Sequence, residues 1–222
     1  MLQKYEKGLS EIKVLLQNAS EDISTASKYV VDAIENLDKE RLNEARNAVK
    51  NIEKKANKID QEIIKTLALY GPEATQLREL VAYLKITNEL VRISDQIRSF
   101  CKKMSAHLDT NVDFSTLFEY TLHLAKSSTN AVQYAMSALN MESEEEIETI
   151  YSKVHVEESK SDDLYTLIEK NILIEASKSI EQSADFIHIL STMRKLERTA
   201  DRAVNIAKLA LFAKIGGEVD FY

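Results

Sequence analysis

Leu90-Val91-Arg92-Ile93-Ser94-Asp95 returns 106 residues later as Leu196-Glu197-Arg198-Thr199-Ala200-Asp201, with Leu, Arg and Asp kept in register. Each copy sits in a long stretch whose apolar residues recur every three or four positions, the period of a helix. A repeat at that distance, inside helices, makes the chain two copies of one helical unit. The copies differ at one chemically important place: Glu197 stands where the first copy has Val91.

Upstream of the first copy, Tyr5, Leu9, Ile12, Leu16, Ala19, Ile23, Ala26, Val30, Ala33 and Leu37 alternate spacings of four and three. That is the seam of a coiled-coil-like helix. Leu42, Ala45, Val49, Ile52, Ala56, Ile59, Ile63, Thr66 and Tyr70 continue it in a second helix, which Gly71-Pro72 closes while opening the next. The third seam is Ile86, Leu90, Ile93, Ile97, Phe100 and Met104. Turn residues from Asp109 to Asp113 break the pattern, and Leu117, Thr121, Leu124, Ser128, Ala131, Ala135 and Ala138 restart it. Asn140 marks a corner, and the acidic run from Glu142 to Glu146 suits the positive end of a fifth helix dipole. A sixth helix is expected from near Ser177 to Lys214, stopped by Gly216-Gly217. Short links favour antiparallel neighbours. The sequence therefore predicts an all-α protein, a tandem duplication of a three-helix bundle with six long antiparallel helices. The bundles are expected at residues 1–108 and 113–222.

Composition agrees. Four Gly and one Pro in 222 residues leave little turn chemistry for strands, while 44% hydrophobic and 29% charged residues fit amphipathic helices with solvated outer faces. A net charge of −7 and a pI near 5.3 argue against DNA, RNA or anionic lipid as the main partner. Cys101 is the sole cysteine, which excludes an intramolecular disulfide and a thiolate metal cage; it reads as a buried structural thiol. The first residues lack the apolar core of a secretory signal, and no run approaches the ~18 apolar residues of a membrane span. A soluble, cytoplasmic protein is expected.

Laid on the fifth helix with an offset of 102, the second helix matches Asp60 to Asp162. Its seam positions Val49, Ile52, Ala56, Ile59 and Ile63 then become Tyr151, Val154, Glu158, Ser161 and Tyr165. Glu158 is thus expected at a core-facing position that its twin fills with Ala56. Glu158 and Asp162 stand one turn apart on one helix face, as do Glu197 and Asp201 on the neighbouring helix. Acidic i,i+4 pairs also arise by chance, about six in a chain this acidic, and most are solvated faces. Glu181 and Asp185 form such a pair. Two pairs at corresponding places in a duplicated unit say more. Carboxylates crowded together need a cation or strong donors to stay ionised. Oxygen ligands suit Mg²⁺, Mn²⁺, Ca²⁺ or iron, with Zn²⁺ not distinguished. The structural alternative is pairing with Lys195, Arg198 or Arg202.

These residues resemble the PhoU family, regulators of bacterial phosphate uptake. The resemblance is carried by Pro72-x-Ala74-x-x-Leu77-Arg78, Leu90-x-Arg92-Ile93-x-Asp95 and Asp162-x-Leu164-Tyr165. It is strongest over Leu196-Glu197-Arg198-x-Ala200-Asp201-x-x-x-Asn205-Ile206-Ala207, and Gly217-Glu218 ends it. It covers essentially the whole chain. The family implies tandem three-helix bundles, some with metal ions on Glu/Asp-x-x-x-Asp motifs from two helices. Carried over, the second-bundle metal ligands would be Glu158, Asp162, Glu197 and Asp201. In the first bundle Ala56 and Val91 replace the glutamates, leaving Asp60 and Asp95 as a remnant too small for a cage. Gln76 also replaces a usual Asp. The family further implies a non-catalytic, negative regulator that associates with the ATPase of the phosphate ABC transporter and with a phosphate-sensing histidine kinase. It would reach the membrane only through those partners. The long helical surfaces leave room for a homodimer.

Three rivals define the alternatives. A PhoU-like accessory protein of a low-affinity phosphate permease would share every residue above. A metal-free coiled-coil adaptor accounts for the seams but not for Glu158. A four-helix di-iron enzyme needs two Glu-x-x-His motifs. The chain offers only Asp185-x-x-His188, and His155 and His188 read as surface or boundary residues. No P-loop or nucleophile elbow appears.

Overall fold

The computed structural model describes residues 2–109, 115–178 and 181–216, and among them every regular element is an α-helix. The helices are α1 (Leu2–Glu35), α2 (Lys39–Ala48), α3 (Ile52–Tyr70), α4 (Ala74–His107), α5 (Ser115–Ala138), α6 (Glu144–Lys178) and α7 (Ser183–Ile215).

The expected second helix is thus two segments, α2 and α3, interrupted over residues 49–51. Its seam survives the break: Leu42, Ala45, Val49, Ile52, Ala56, Ile59 and Ile63 are all buried. Asp38 caps α2, accepting from the N–H groups of Glu40 (2.8 Å) and Arg41 (3.2 Å), which satisfies two otherwise unpaired donors. Leu37, assigned to the α1 seam, is half exposed with φ +51 and belongs to the turn instead. Gly71 ends α3 in the left-handed conformation (φ +52), its N–H reaching the Leu67 carbonyl. Pro72 lies one residue before the N-cap Glu73 rather than inside the first turn of α4. The fifth helix of the expectation runs on to Lys178, so the last helix begins at Ser183 rather than near Ser177. Glu181 therefore falls in the turn before α7, off the helix that carries Asp185. Most of the Asp109–Asp113 turn and Gly217-Glu218 lie outside the described residues.

α1 to α4 pack as one bundle and α5 to α7 as the other, joined along α1–α5 and α4–α7. Bonds from Lys103 to Ser191 (3.1 Å), Arg202 to Glu89 (3.4 Å) and Arg78 to the Lys214 carbonyl (2.7 Å) show that α4 and α7 run antiparallel. This register sets the two copies of the repeated motif alongside one another, with Leu90 and Leu196 both buried. Along α1–α5 the join is polar: Thr129 donates to the Ser27 carbonyl (3.0 Å) and Gln133 to the Ser24 carbonyl (2.9 Å). Cys101 is fully buried, and loss of water pushes its thiol up to about 12, too high for a nucleophile. No helix of the described residues is long and apolar enough to cross a membrane.

Candidate metal centre

α6 lies between α5 and α7, so its inward surface is wider than one seam. Its buried line is Val154, Glu157, Ser161, Ile168 and Ile172. The repeat offset therefore misplaces the core acid by one residue. Glu157, not Glu158, occupies the buried seam position, accepting from Lys160 (2.6 Å) and from Asn130 of α5 (3.4 Å). Glu158 is half-buried and turned toward α7. A helix squeezed between two neighbours buries a face on each side, and the three-four spacing from Val154 to Glu157 to Ser161 is the signal that could have found Glu157.

On the α7 side, Glu158, Asp162 and Asp201 each offer a carboxylate oxygen, all within 4.8 Å of one another. Asp162 is exposed and the other two are half-buried, so the group lies in a groove open to solvent. Glu197, the fourth acid expected there, is one turn before Asp201 on α7 and outside that close group. It is still coupled to it. Burial first, and then the charge of Asp201, push the Glu197 carboxyl up to about 7. Its Oε2 is shut away from water without a partner.

The others shift the same way. Burial, then Asp162 and Asp201, raise Glu158 above the ordinary carboxylate range. Burial, then Asp162, raise Asp201, and burial, then Asp163, raise Asp162. Ser161, on the turn between Glu158 and Asp162, is fully buried and its hydroxyl also lacks a partner.

Nearby cations do not close this deficit. Arg202 turns to Glu89 (3.4 Å) and Arg194 lies over the Tyr165 ring (5.8 Å). Among the described residues, none of the four acids has a Lys or Arg nitrogen within salt-bridge distance. Crowded carboxylates and an orphaned buried oxygen make a donor set short of positive charge, which a cation fits.

The equivalent acids of the first bundle are satisfied separately. Thr87 donates to Asp60 (2.7 Å), while Asp95 is exposed and 3.8 Å from Arg98. Ala56 is buried and Val91 packs against the core.

The chain is similar to known proteins in sequence and in fold. A family model described as PhoU domain matches twice, over residues 16–104 and 121–210. The phosphate-specific transport system accessory protein PhoU homolog of Xylella fastidiosa strain 9a5c is 29% identical over 153 residues, 69% of this chain. That match spans 62% of the relative, under two thirds of its length. The homolog from strain Temecula1 of the same species is 24% identical over 219 residues, covering 99% of this chain and 88% of the relative. In three dimensions, the crystal structure of the phosphate transport system regulatory protein PhoU from Streptococcus pneumoniae gives a TM-score of 0.82 at 21% identity. It covers 98% of this chain and 100% of that one.

Proposed function

The chain belongs to the PhoU domain family, and on that footing we propose that it is an accessory regulator of phosphate transport, acting by docking rather than by catalysis. Its partners would be the ATPase of a phosphate transporter and a phosphate-sensing histidine kinase, which it restrains when phosphate is plentiful. The observation that carries this reading is the family domain found twice in this chain, beside relatives named as accessory proteins of phosphate-specific transport.

Within that role, Glu158, Asp162 and Asp201 would hold a cation in the second bundle, with Glu197 as the fourth donor. A bound divalent or trivalent ion supplies the positive charge that lets the four acids stay ionised together. The chain's own contribution is mechanical. Glu158 and Asp162 belong to α6, Asp201 and Glu197 to α7, so a shared ion fixes the two helices against each other. α6 keeps a long exposed face on which a partner can dock, while α7 is packed against α4, α5 and α6.

The test is a strain lacking this gene, grown in high phosphate. Expected is derepressed phosphate uptake, restored by the wild-type gene, together with recovery of the transporter ATPase when tagged protein is purified from native membranes. Unchanged uptake and an ATPase that does not copurify would defeat the proposal. Copurification of a single-subunit permease would redirect it to that transporter.

A further inference from the structure

We propose that the groove between α4 and α7 binds a phosphate oxyanion between Arg92 and Arg198, with Lys195 and Lys103 beside them. These two arginines are the ones that the repeated motif keeps in register, and the cation site leaves them unused. Glu89, Arg92 and Gln96 of α4 return 106 residues later as Lys195, Arg198 and Arg202 of α7. At about 100° per residue each trio falls within roughly 60° of arc, one stripe on each helix. The antiparallel register lays the stripes against each other. Glu89 accepts from Arg202 (3.4 Å) and Asn205 (3.5 Å), and Lys103 reaches Ser191 (3.1 Å) further along. The same register sets Arg92 level with Arg198, and Gln96 level with Lys195.

The two ends of this arrangement differ in charge. At one, Glu89 meets Arg202. At the other, the corresponding positions hold Lys195 and Gln96, and neither is an acid. Lys103 and Arg198 both lie near enough to Lys195 to repel its ammonium. Among the described residues, Arg92, Lys103, Lys195 and Arg198 have no carboxylate within ion-pair distance. The motif aspartates are engaged elsewhere: Asp95 is 3.8 Å from Arg98, and Asp201 groups with Glu158 and Asp162. Four unpaired cations thus line one seam of a chain whose net charge is −7. Like charges held across a join repel, and a bound anion removes that cost. Arg92 and Arg198 are exposed while Lys103 and Lys195 are half-buried, so the ligand enters from solvent.

A planar guanidinium on each side suits an anion with several equivalent oxygens. Gln96 narrows the choice. Its Oε1 is shut away from water without a partner. Phosphate near neutral pH carries a hydroxyl that can donate to this oxygen, and sulfate has none. A site that hydrogen-bonds a ligand's hydroxyl rejects the analogue lacking it. Bound there, phosphate would tie α4 to α7 and so one bundle to the other. Its place in regulation rests on the role proposed above; the binding itself does not.

The experiment is calorimetric titration of the metal-stripped full-length protein with inorganic phosphate and with sulfate. Variants are Arg198→Gln, Lys195→Gln, the two combined, Gln96→Leu, and Lys170→Gln on the exposed face of α6 as a charge control. Circular dichroism checks that each is folded. Wild type should bind phosphate and favour it over sulfate. Arg198→Gln and Lys195→Gln should each lose at least about 10-fold in phosphate affinity, and Lys170→Gln should lose none. Gln96→Leu should bind the two anions alike; an unchanged preference would remove the amide from the site. Asp162→Asn/Asp201→Asn should bind phosphate at least as well as wild type, and loss there would move the anion to the carboxylates. A wild type that takes up no phosphate, or an affinity that survives the combined variant, would overturn the proposal. Neither result touches the regulatory role, which the deletion strain tests separately.

Discussion

Glu157 and Glu158 are adjacent in sequence and face different helices: Glu157 is buried and meets Asn130 of α5, while Glu158 joins Asp201 of α7. One turn of α6 thus carries two acids with separate tasks. Glu157 is tied down by Lys160, its partner at i+3. Glu158 sits among like charges, with His155 as its nearest possible counter-charge.

Separate tasks give separable effects. Glu157→Ala leaves Asn130 and Lys160 without their acceptor and opens a gap in the α5–α6 seam. It should lower stability by about 1–3 kcal/mol while cation affinity stays unchanged. Glu158→Ala should do the reverse, weakening cation binding with less than about 1 kcal/mol change in the metal-free protein. Chemical denaturation paired with metal titration reads both, and a Glu157 variant with the larger loss of cation affinity would invert the assignment.

Cation binding should also appear as stabilisation, since an ion that binds only the folded bundle shifts the folding equilibrium by mass action. At a hundred times its Kd it adds about 2.7 kcal/mol. For a chain of this size that is roughly 5–10 °C in Tm. Asp162→Asn/Asp201→Asn should abolish the shift, as should a chelator. An equal shift in the double variant would place the ion elsewhere.

Much of the fold could be read in the residues because helical seams are periodic and the periodic residues are the buried ones. Ile86, Leu90, Ile93, Ile97, Phe100 and Met104 follow from spacing alone, and all are buried. Two kinds of detail could not. The break at residues 49–51 leaves the spacing of the seam intact, so periodicity passes over it. Which side of α6 faces inward depends on how α5 and α7 pack against it, and the buried acid is Glu157 rather than Glu158. The repeat points to four acids on two helices, and three of them, Glu158, Asp162 and Asp201, share one group. Glu197 stands outside it with its Oε2 shut away from water and unpartnered, which the spacing of the sequence does not encode.

The metal-free protein should lose stability as pH rises from about 5 to 7.5. Burial and Asp201 hold the folded Glu197 carboxyl at about 7, against 4.5 in the unfolded chain. The folded state therefore binds the proton more tightly, its contribution is whole below 4.5, and it fades as pH climbs through 7. Glu158, Asp162 and Asp201 are raised too and act in the same direction. Glu197→Gln should flatten part of the slope, seen as a smaller difference in Tm between pH 5 and pH 7.5. A variant as pH-dependent as the wild type would show that Glu197 titrates normally.

The last prediction concerns the clasp between the bundles. Arg78, from the start of α4, donates to the carbonyls of Ala213 (3.4 Å) and Lys214 (2.7 Å) at the end of α7, where helix carbonyls otherwise lack partners. Gly216 follows at φ +81, and a Cβ there would lie 2.6 Å from Arg78 Nη1. The glycine is needed twice, for its backbone conformation and for the approach of the guanidinium. Arg78→Ala should cost about 1.5–3 kcal/mol, since charged donors make the stronger hydrogen bonds. Gly216→Ala should cost about 1–3 kcal/mol for the backbone, held at φ +81 and ψ −148, plus whatever the collision adds. Once Arg78 is truncated the collision disappears and only the backbone term remains, so the double variant should lose less than the two single variants added together. A double-mutant cycle by urea denaturation measures that coupling. Simple additivity would mean that Arg78 does not clasp the end of α7 in solution.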